Sequence, residues 1–219
     1  MRKKQSHAGT VFIIIGILCC LGAAALAIHN HMDSERAGDA SEQVLVQLVD
    51  TIRNPEDDVP YKRVDDLLPE EETPEMATVA IDGYDYIGMI AFPSLNNLEL
   101  PVMKDWDLDR LNISPCRYTG SYYTDDLVIC GHNFSTHFEP LLNDLKLGED
   151  VYFLTVGGEK IHYVTVNKEV VEPTAIEVMI ENSKNNEESE NHWDLTLFTC
   201  HYGGQTRCAV RCVRVPEEP

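Results

Sequence analysis

The sequence predicts an all-β domain, a barrel or a sandwich of seven or eight short strands, behind one N-terminal apolar helix. The β class is predicted by short strand-like segments after residue 84 and by the turn signals between them. The helix is predicted because residues 10–28 carry no charge, and about 20 apolar residues span a bilayer. The expected divisions are a basic tail (1–9), an anchor (10–28), a helix and connector (29–83), and a β domain (84–219).

The predicted anchor has an expected orientation. Arg2, Lys3 and Lys4 precede the apolar run, so the N-terminus is expected in the cytoplasm and the rest of the chain outside the cell. A cleaved signal peptide is the alternative, because Ala25-Leu26-Ala27 has the small-x-small form of a cleavage site. The apolar run exceeds the roughly 7–15 residues of a signal core, which favours a retained anchor. Either reading exports the β domain.

The segment after the anchor begins as a helix and continues as a connector. Val44, Leu48 and Ile52 recur at helical spacing and predict a helix over 33–54 that ends at Asn54-Pro55. From 55 to about 80 the chain is rich in proline and acidic residues, without periodicity. Acidic runs are expected to be solvated loops; they are EDD at 56–58, EEE at 70–72 and EESE at 187–190. The formal net charge of -20 argues against a nucleic-acid partner.

Seven strands are predicted in the β domain. They are YIGMIAF (86–92), LELPVM (98–103), DLVICGH (126–132), DVYFLTV (150–156), KIHYVTVNKEVV (160–171), WDLTLFTC (193–200) and RCAVRCVRV (207–215). Gly157-Gly158 between two of them predicts a tight hairpin turn. Short helices are expected near 137–145 and 173–182. The strand count predicts a barrel or a sandwich.

Five of the seven cysteines follow the anchor, which matters for an exported chain. They are Cys116, Cys130, Cys200, Cys208 and Cys212. Because five is odd, at least one thiol is expected to stay free or to pair with another chain. Cys208 and Cys212, on one predicted strand, would lie roughly 13 Å apart, beyond disulfide reach. No spacing typical of zinc ligands occurs, so neither a metal nor a cofactor is expected.

Cys200 ends the apolar strand WDLTLFTC, where its thiol could be accessible. Alternation places it on the face of Thr196 and Phe198, opposite Leu195 and Leu197, which form the expected core face. A free cysteine on a strand is most often a small buried apolar residue, and that reading stays open.

The following strand, which begins at Arg207, offers a cation close to Cys200. Its alternate residues Cys208, Val210 and Cys212 are expected to be buried, so Arg207 and Arg211 should project from the outer face. A thiol nucleophile reacts as the thiolate and needs a proton donor for the leaving amine and a site for the oxyanion. Arg207 can supply the oxyanion site.

The proton donor would be a histidine near the end of a strand. His132 closes the apolar run LVICGH, and His137 begins a predicted helix. Spacing alone does not choose between these two histidines.

These residues together resemble a known family. TLFTC at 196–200 resembles the TLxTC signature of sortases, the membrane-anchored cysteine transpeptidases of Gram-positive bacterial surfaces. CGHNF at 130–134 is similar to the segment with the sortase catalytic histidine, and Arg207 matches the active-site arginine of the last strand. YIGMIAFPSLNNLELPVM resembles the opening strand pair of the family. The resemblance covers roughly residues 84–215.

The resemblance implies a closed barrel of about eight strands with a groove beside its last two strands. It implies Cys200 as nucleophile, His132 as general acid/base and Arg207 as the oxyanion and substrate-positioning residue. The family cleaves an LPxTG-type sorting signal of surface proteins between Thr and Gly. It then transfers the thioacyl group to an amine of a cell-wall precursor or a pilin lysine. The resemblance also implies a single-pass membrane protein with an extracellular catalytic domain.

The N-terminal helix and single anchor resemble a class B-like or class D-like sortase. Pilin-polymerising relatives usually carry an aromatic lid motif with Asp-Pro and a second, C-terminal span, and neither is found in the sequence.

Two other functions fit the same residues. One is a thiol hydrolase with the same Cys-His-Arg set, and the other is a non-enzymatic, surface-anchored β-barrel binding protein with an inert cysteine.

Overall fold

The structure, a computed structural model, describes residues 7–54, 75–182 and 192–216. The three acidic runs at 56–58, 70–72 and 187–190 lie outside the described residues, as does most of the predicted connector. The elements in chain order are α1 (His7–Arg53), β1 (Val79–Ile81), β2 (Tyr84–Phe92), β3 (Leu98–Met103), α2 (Leu108–Leu111), β4 (Cys116–Thr119), β5 (Leu127–Gly131), α3 (Glu139–Asn143), β6 (Asp150–Thr155), β7 (Lys160–Val171), α4 (Ile176–Ile180), β8 (Leu195–His201) and β9 (Thr206–Arg214).

Eight of the strands form a closed barrel. Their order is β2-β3-β4-β5-β8-β9-β7-β6, and β6 pairs back with β2 to close the ring, while β1 extends β2 as a short extra strand. The prediction of a closed barrel of about eight strands is confirmed. The seven predicted strands are all present, and Gly158 makes the β6–β7 hairpin turn at φ 86°. The strands that the sequence did not reveal, β1 and β4, have only three and four residues.

The strands bury side chains on both of their faces. The barrel interior contains the expected inward set of the last two strands: Leu195, Leu197, Cys208, Val210 and Cys212. A second apolar cluster covers part of the outer barrel surface, with Cys130 and Phe198 from the strands and Leu48 from α1. An outward-facing residue of this barrel is therefore not necessarily exposed to solvent.

Helix α1 joins the predicted anchor and the predicted helix 33–54 into one continuous helix. Its first part is an apolar segment with none of its surface buried, long enough to be a candidate membrane span. Its last part packs on the barrel, where Val44 is 4% exposed and Leu48 is completely buried. The helix ends at Arg53, one residue before the Asn54-Pro55 pair, as predicted.

The middle of α1 is hydrogen-bonded to the loop that follows β5. The hydroxyl groups of Ser34 and Ser135 lie 2.9 Å apart, and the hydroxyl of Thr136 donates to the Ser34 carbonyl at 2.8 Å. Gly38 allows this approach, because a Cβ at that position would lie 2.8 Å from Thr136 Cγ2. The loop after β5 is therefore held directly against α1.

Candidate active site

Three neighbouring strands bring three predicted residues to the same end of the barrel. Cys200 on β8 is directly opposite Arg207 on β9. β5 runs parallel to β8 with Gly131 opposite Thr199, so His132 follows at the level of Cys200. All three residues line one cleft of about 240 Å³. The structure therefore brings together the residues that the sequence singled out separately.

Cys200 differs in its exposure from the other barrel cysteines. It is partly exposed in the cleft, whereas Cys116, Cys130, Cys208 and Cys212 are buried, and all five are free thiols. Burial raises the pKa of Cys130 and of Cys212 to about 12 and raises the pKa of Cys208. These thiols stay protonated at neutral pH, so they are poor nucleophiles. Cys200 is the barrel thiol that a substrate can reach.

Arg207 is held beside Cys200 by contacts of its own turn. Its Nη1 donates to the carbonyl of Gly204 at 3.0 Å and to that of Thr206 at 3.1 Å. Gly203 and Gly204 have φ values of 63° and 89°, which glycine adopts without strain and which turn the chain from β8 into β9. The guanidinium remains partly exposed, so its other N–H groups can face a ligand in the cleft.

The two candidate histidines occupy different environments. His132 is partly exposed in the cleft and stacks on Phe134, with ring centroids 4.6 Å apart and an interplanar angle of 27°. Burial lowers its pKa, so its imidazole is neutral at pH 7. His137 is completely buried behind the loop, and burial lowers its pKa to about 4. The geometry therefore favours His132 over His137.

The walls of the cleft are apolar, and the sequence patterns did not predict them. Trp106 packs against Tyr118 with ring centroids 5.2 Å apart, and Tyr118 makes an edge contact with Phe198 at 5.3 Å. Ile176 and Met179 contribute from α4. Their i, i+3 spacing in the predicted short helix was a detectable signal for one shared face, whereas Trp106 and Tyr118 belong to a connection and to a four-residue strand.

Arg211 projects from the outer face of β9, as predicted. Only 1% of its surface is accessible there, because α4 and Trp193 lie over it. Its Nε and Nη2 donate to Glu169 Oε1 at 3.1 and 2.9 Å. Replacing Arg211 would therefore leave buried polar groups unpaired.

No group of three or more His, Cys, Asp or Glu side chains in residues 7–54, 75–182 and 192–216 is arranged to hold a metal ion.

The comparisons with known proteins agree with this architecture. A family model described as a sortase domain matches residues 90–215, more than half of the chain. Sortase C1 from Streptococcus agalactiae shares 25% identity, with a TM-score of 0.50, over 64% of this chain and 72% of that chain. Sortase A from Listeria monocytogenes shares 19% identity, with a TM-score of 0.50, over 60% of this chain and 88% of that chain. A sortase D5 transpeptidase from Clostridium perfringens shares 18% identity, with a TM-score of 0.50, over 60% of this chain and 80% of that chain. No curated protein matches the sequence.

Proposed function

The chain belongs to the sortase family, and we propose that it is a membrane-anchored transpeptidase whose reaction is carried out by Cys200, His132 and Arg207. The observation that carries this proposal is the convergence of the three side chains at one end of β5, β8 and β9, around one cleft. A nucleophile, a proton carrier and a fixed cation are the groups that acyl transfer through a cysteine requires.

Acylation begins with the neutral imidazole of His132 and the thiol of Cys200. The imidazole accepts the thiol proton, and the thiolate attacks the carbonyl carbon of threonine in an LPxTG-type sorting signal. The negative charge that develops on the carbonyl oxygen is stabilised by N–H groups of Arg207. When the C–N bond to glycine breaks, the imidazolium of His132 returns the proton to the leaving amine, and the acyl group remains on sulfur as a thioester.

Deacylation repeats these steps with an incoming amine. The amine of a cell-wall precursor or of a pilin lysine attacks the thioester carbonyl and loses a proton to His132. Arg207 stabilises the oxyanion again, and the Cys200 thiolate leaves as the new amide bond forms. The imidazolium of His132 then returns the proton to the Cys200 sulfur, which restores the thiol and the neutral imidazole. If water attacks instead, the enzyme is a hydrolase with the same three residues, so the choice of acceptor defines the reaction.

The apolar walls support an apolar sorting sequence as substrate. Trp106, Leu108 and Ile176 are more than 40% exposed at the cleft, although they are large apolar side chains. Burying such side chains against leucine and proline of the signal gives about 25 cal/mol per Å² of apolar area. This contact would hold the peptide while the scissile bond reaches Cys200.

The apolar segment of α1 supports a location at the cell membrane. We propose that residues 10–28 are the single span, with the basic tail 1–9 in the cytoplasm, residues 29–83 as helix and connector, and the barrel (84–219) outside. The partners would be surface proteins with a C-terminal sorting signal and an amine acceptor. The three solved structures described above belong to classes A, C and D, so a class B-like or class D-like assignment remains a proposal from the sequence.

Mass spectrometry with a panel of LPxTG-type peptides tests the proposed function. We expect a thioacyl adduct on Cys200 and, after an amine is added, a new amide product that exceeds the hydrolysed peptide. Hydrolysed peptide alone at saturating amine would identify a thiol hydrolase. A Cys200 that neither forms an adduct nor reacts with a thiol alkylator at neutral pH would identify a non-enzymatic binding protein.

A further inference from the structure

We propose that Arg211 is a positioning residue that holds one wall of the substrate cleft, helix α4, against the strands that carry Cys200 and Arg207. The proposal rests on the proposed function, because it assigns a role in binding the sorting signal. Arg211 lies on β9, four residues after Arg207, and does not itself line the cleft.

The guanidinium of Arg211 uses all of its donors within the protein. Its Nη1 donates to the Met179 carbonyl at 2.5 Å and to Thr196 Oγ1 at 2.9 Å, and its Nη2 donates to the Val178 carbonyl at 2.7 Å. With the two bonds to Glu169 Oε1, the five N–H groups make five hydrogen bonds. One side chain therefore connects β7, β8, β9 and α4.

The bonds to α4 compensate for the shortness of that helix. A helix of five residues cannot satisfy its last carbonyl groups internally, and the carbonyls of Val178 and Met179 point at the cation. Isolated helices of this length are unstable in water. A second contact follows at the end of α4, where Trp193 Nε1 donates to the Glu181 carbonyl at 2.9 Å.

Helix α4 matters for substrate because of what it presents to the cleft. Ile176 and Met179 face the cleft together with Pro173, which precedes the helix. Trp106 and Tyr118 also line the cleft and contact each other. If α4 moved away from β8 and β9, the width of the cleft would change although Cys200 and Arg207 kept their register. Arg211 should therefore affect peptide binding more than the intrinsic reactivity of Cys200.

Lysine is the sharpest replacement at this position. An ammonium keeps the charge near Glu169 but has three donors and no planar fork, so it cannot reach both α4 carbonyls and Thr196. In Arg211→Lys we expect amide exchange over residues 176–182 to become at least about tenfold faster, the effect of losing one or two hydrogen bonds. We expect KM for a sorting peptide to rise by a similar factor of about ten, with a smaller change in kcat and an unchanged rate of Cys200 alkylation.

Arg214→Lys is the matched control on the same strand. Arg214 also forms ion pairs, with Asp125 and Glu159 at 3.1 and 3.3 Å. It lies roughly 23 Å along β9 from Arg207 and does not line the cleft. This variant should alter neither KM nor exchange over 176–182. The double variant Arg211→Met, Glu169→Gln tests the same contact without leaving an unpaired carboxylate, should Arg211→Lys fold poorly.

Exchange over 176–182 that is unchanged in a folded Arg211 variant overturns the proposal. The proposal is also overturned if Arg214→Lys raises KM to the same extent, or if slower alkylation of Cys200 is the only change in the Arg211 variant. If the unmodified chain turns over no sorting peptide, the proposed function fails, whereas the exchange comparison still decides whether Arg211 holds α4.

Discussion

Cys200 and Arg207 are direct cross-strand neighbours on antiparallel strands β8 and β9. The seven-residue spacing between them follows from this geometry, because a tight glycine-containing turn returns the chain to the level of the cysteine. Opposed residues of an antiparallel pair have Cα atoms about 4.5–5.5 Å apart, and their side chains share one face. The barrel therefore fixes the thiol and the guanidinium together, without help from a mobile loop.

Cys200→Ala should abolish thioacyl formation and amide transfer while the barrel stays folded, because the other barrel thiols are buried and protonated. Cys208→Ala is the control and should keep its turnover. Mass spectrometry of peptide adducts and circular dichroism check both variants. Turnover in Cys200→Ala, or its loss in a folded Cys208→Ala, would show that the nucleophile is another residue.

Arg207→Gln should slow single-turnover acylation by about 10²–10³, the usual effect of removing one oxyanion donor. Peptide binding should change less, because the charge that Arg207 stabilises appears only as the carbonyl is attacked. Arg207→Lys should rescue poorly, since an ammonium lacks the planar fork. The control for the loss of one positive charge is Arg36→Gln, at an exposed position of α1. Arg211 cannot serve as this control, because its side chain is buried. Near-normal acylation in Arg207→Gln would exclude Arg207 from the reaction.

His132→Gln should lose acylation, because among the described residues no other side chain that lines the cleft can carry the proton from Cys200 to the leaving amine. In the unmodified enzyme, the acid limb of the single-turnover pH profile should fall below pH 6.5, because burial lowers the pKa of His132 from that ordinary value. His137→Gln is the control and should keep the chemical step. An acid limb that is identical in His132→Gln and the unmodified enzyme would assign the proton transfer elsewhere.

His137 should make folding stability depend on pH. Its pKa is about 4 in the folded state, against 6.5 when exposed, so the unfolded chain binds the proton more readily. The free energy of unfolding should therefore fall as pH decreases, by about 2 kcal/mol between about pH 7 and about pH 5. Urea unfolding of a chain that begins at Ser34 measures this slope. His137→Gln should flatten this slope, and a slope in His137→Gln equal to that of the unmodified chain would refute the assignment.

A chain that begins at Ser34 should be soluble and active on peptides, because it keeps the α1 residues that pack on the barrel. In a chain that begins at Met76, the free energy of unfolding should be lower by about 3–6 kcal/mol. This is an upper estimate for the loss of the apolar contacts that Val44 and Leu48 make with the barrel. Urea unfolding and peptide turnover compare the two. Equal stability would show that α1 does not support the barrel.

Expression of the full chain tests whether the apolar segment is retained. A product that is found in the medium with a new N-terminus after Ala27 would identify a cleaved signal peptide instead of an anchor.

The seven longer strands and the positions of Cys200 and Arg207 were predictable because they depend on local alternation and on strand ends. Cys200, Leu195 and Leu197 lie on the faces that alternation assigned. Arg211 was placed on the correct face, but its burial was not predicted. Alternation reports which way a side chain points from a strand, and not whether another element, here α4, covers that face.

The choice between His132 and His137 had the same limit. Both follow β5 within a few residues, and only the packing of α1 against the loop shows that His137 is enclosed. Likewise, the aromatic wall formed by Trp106 and Tyr118 joins a connection to a four-residue strand, and neither element has enough residues to show a period.

The continuity of α1 limits where an anchored enzyme can act. Ser34, which holds the loop after His132, lies only six positions along α1 from Ile28, the end of the apolar run. At 1.5 Å per residue this is roughly 9 Å of rigid helix. For a chain anchored through residues 10–28, His132 would stay close to the lipid headgroups and could not swing outward on a tether. Such an enzyme would meet donor and acceptor by lateral diffusion in the plane of the bilayer, and an amine deep in the mature wall would be out of its range.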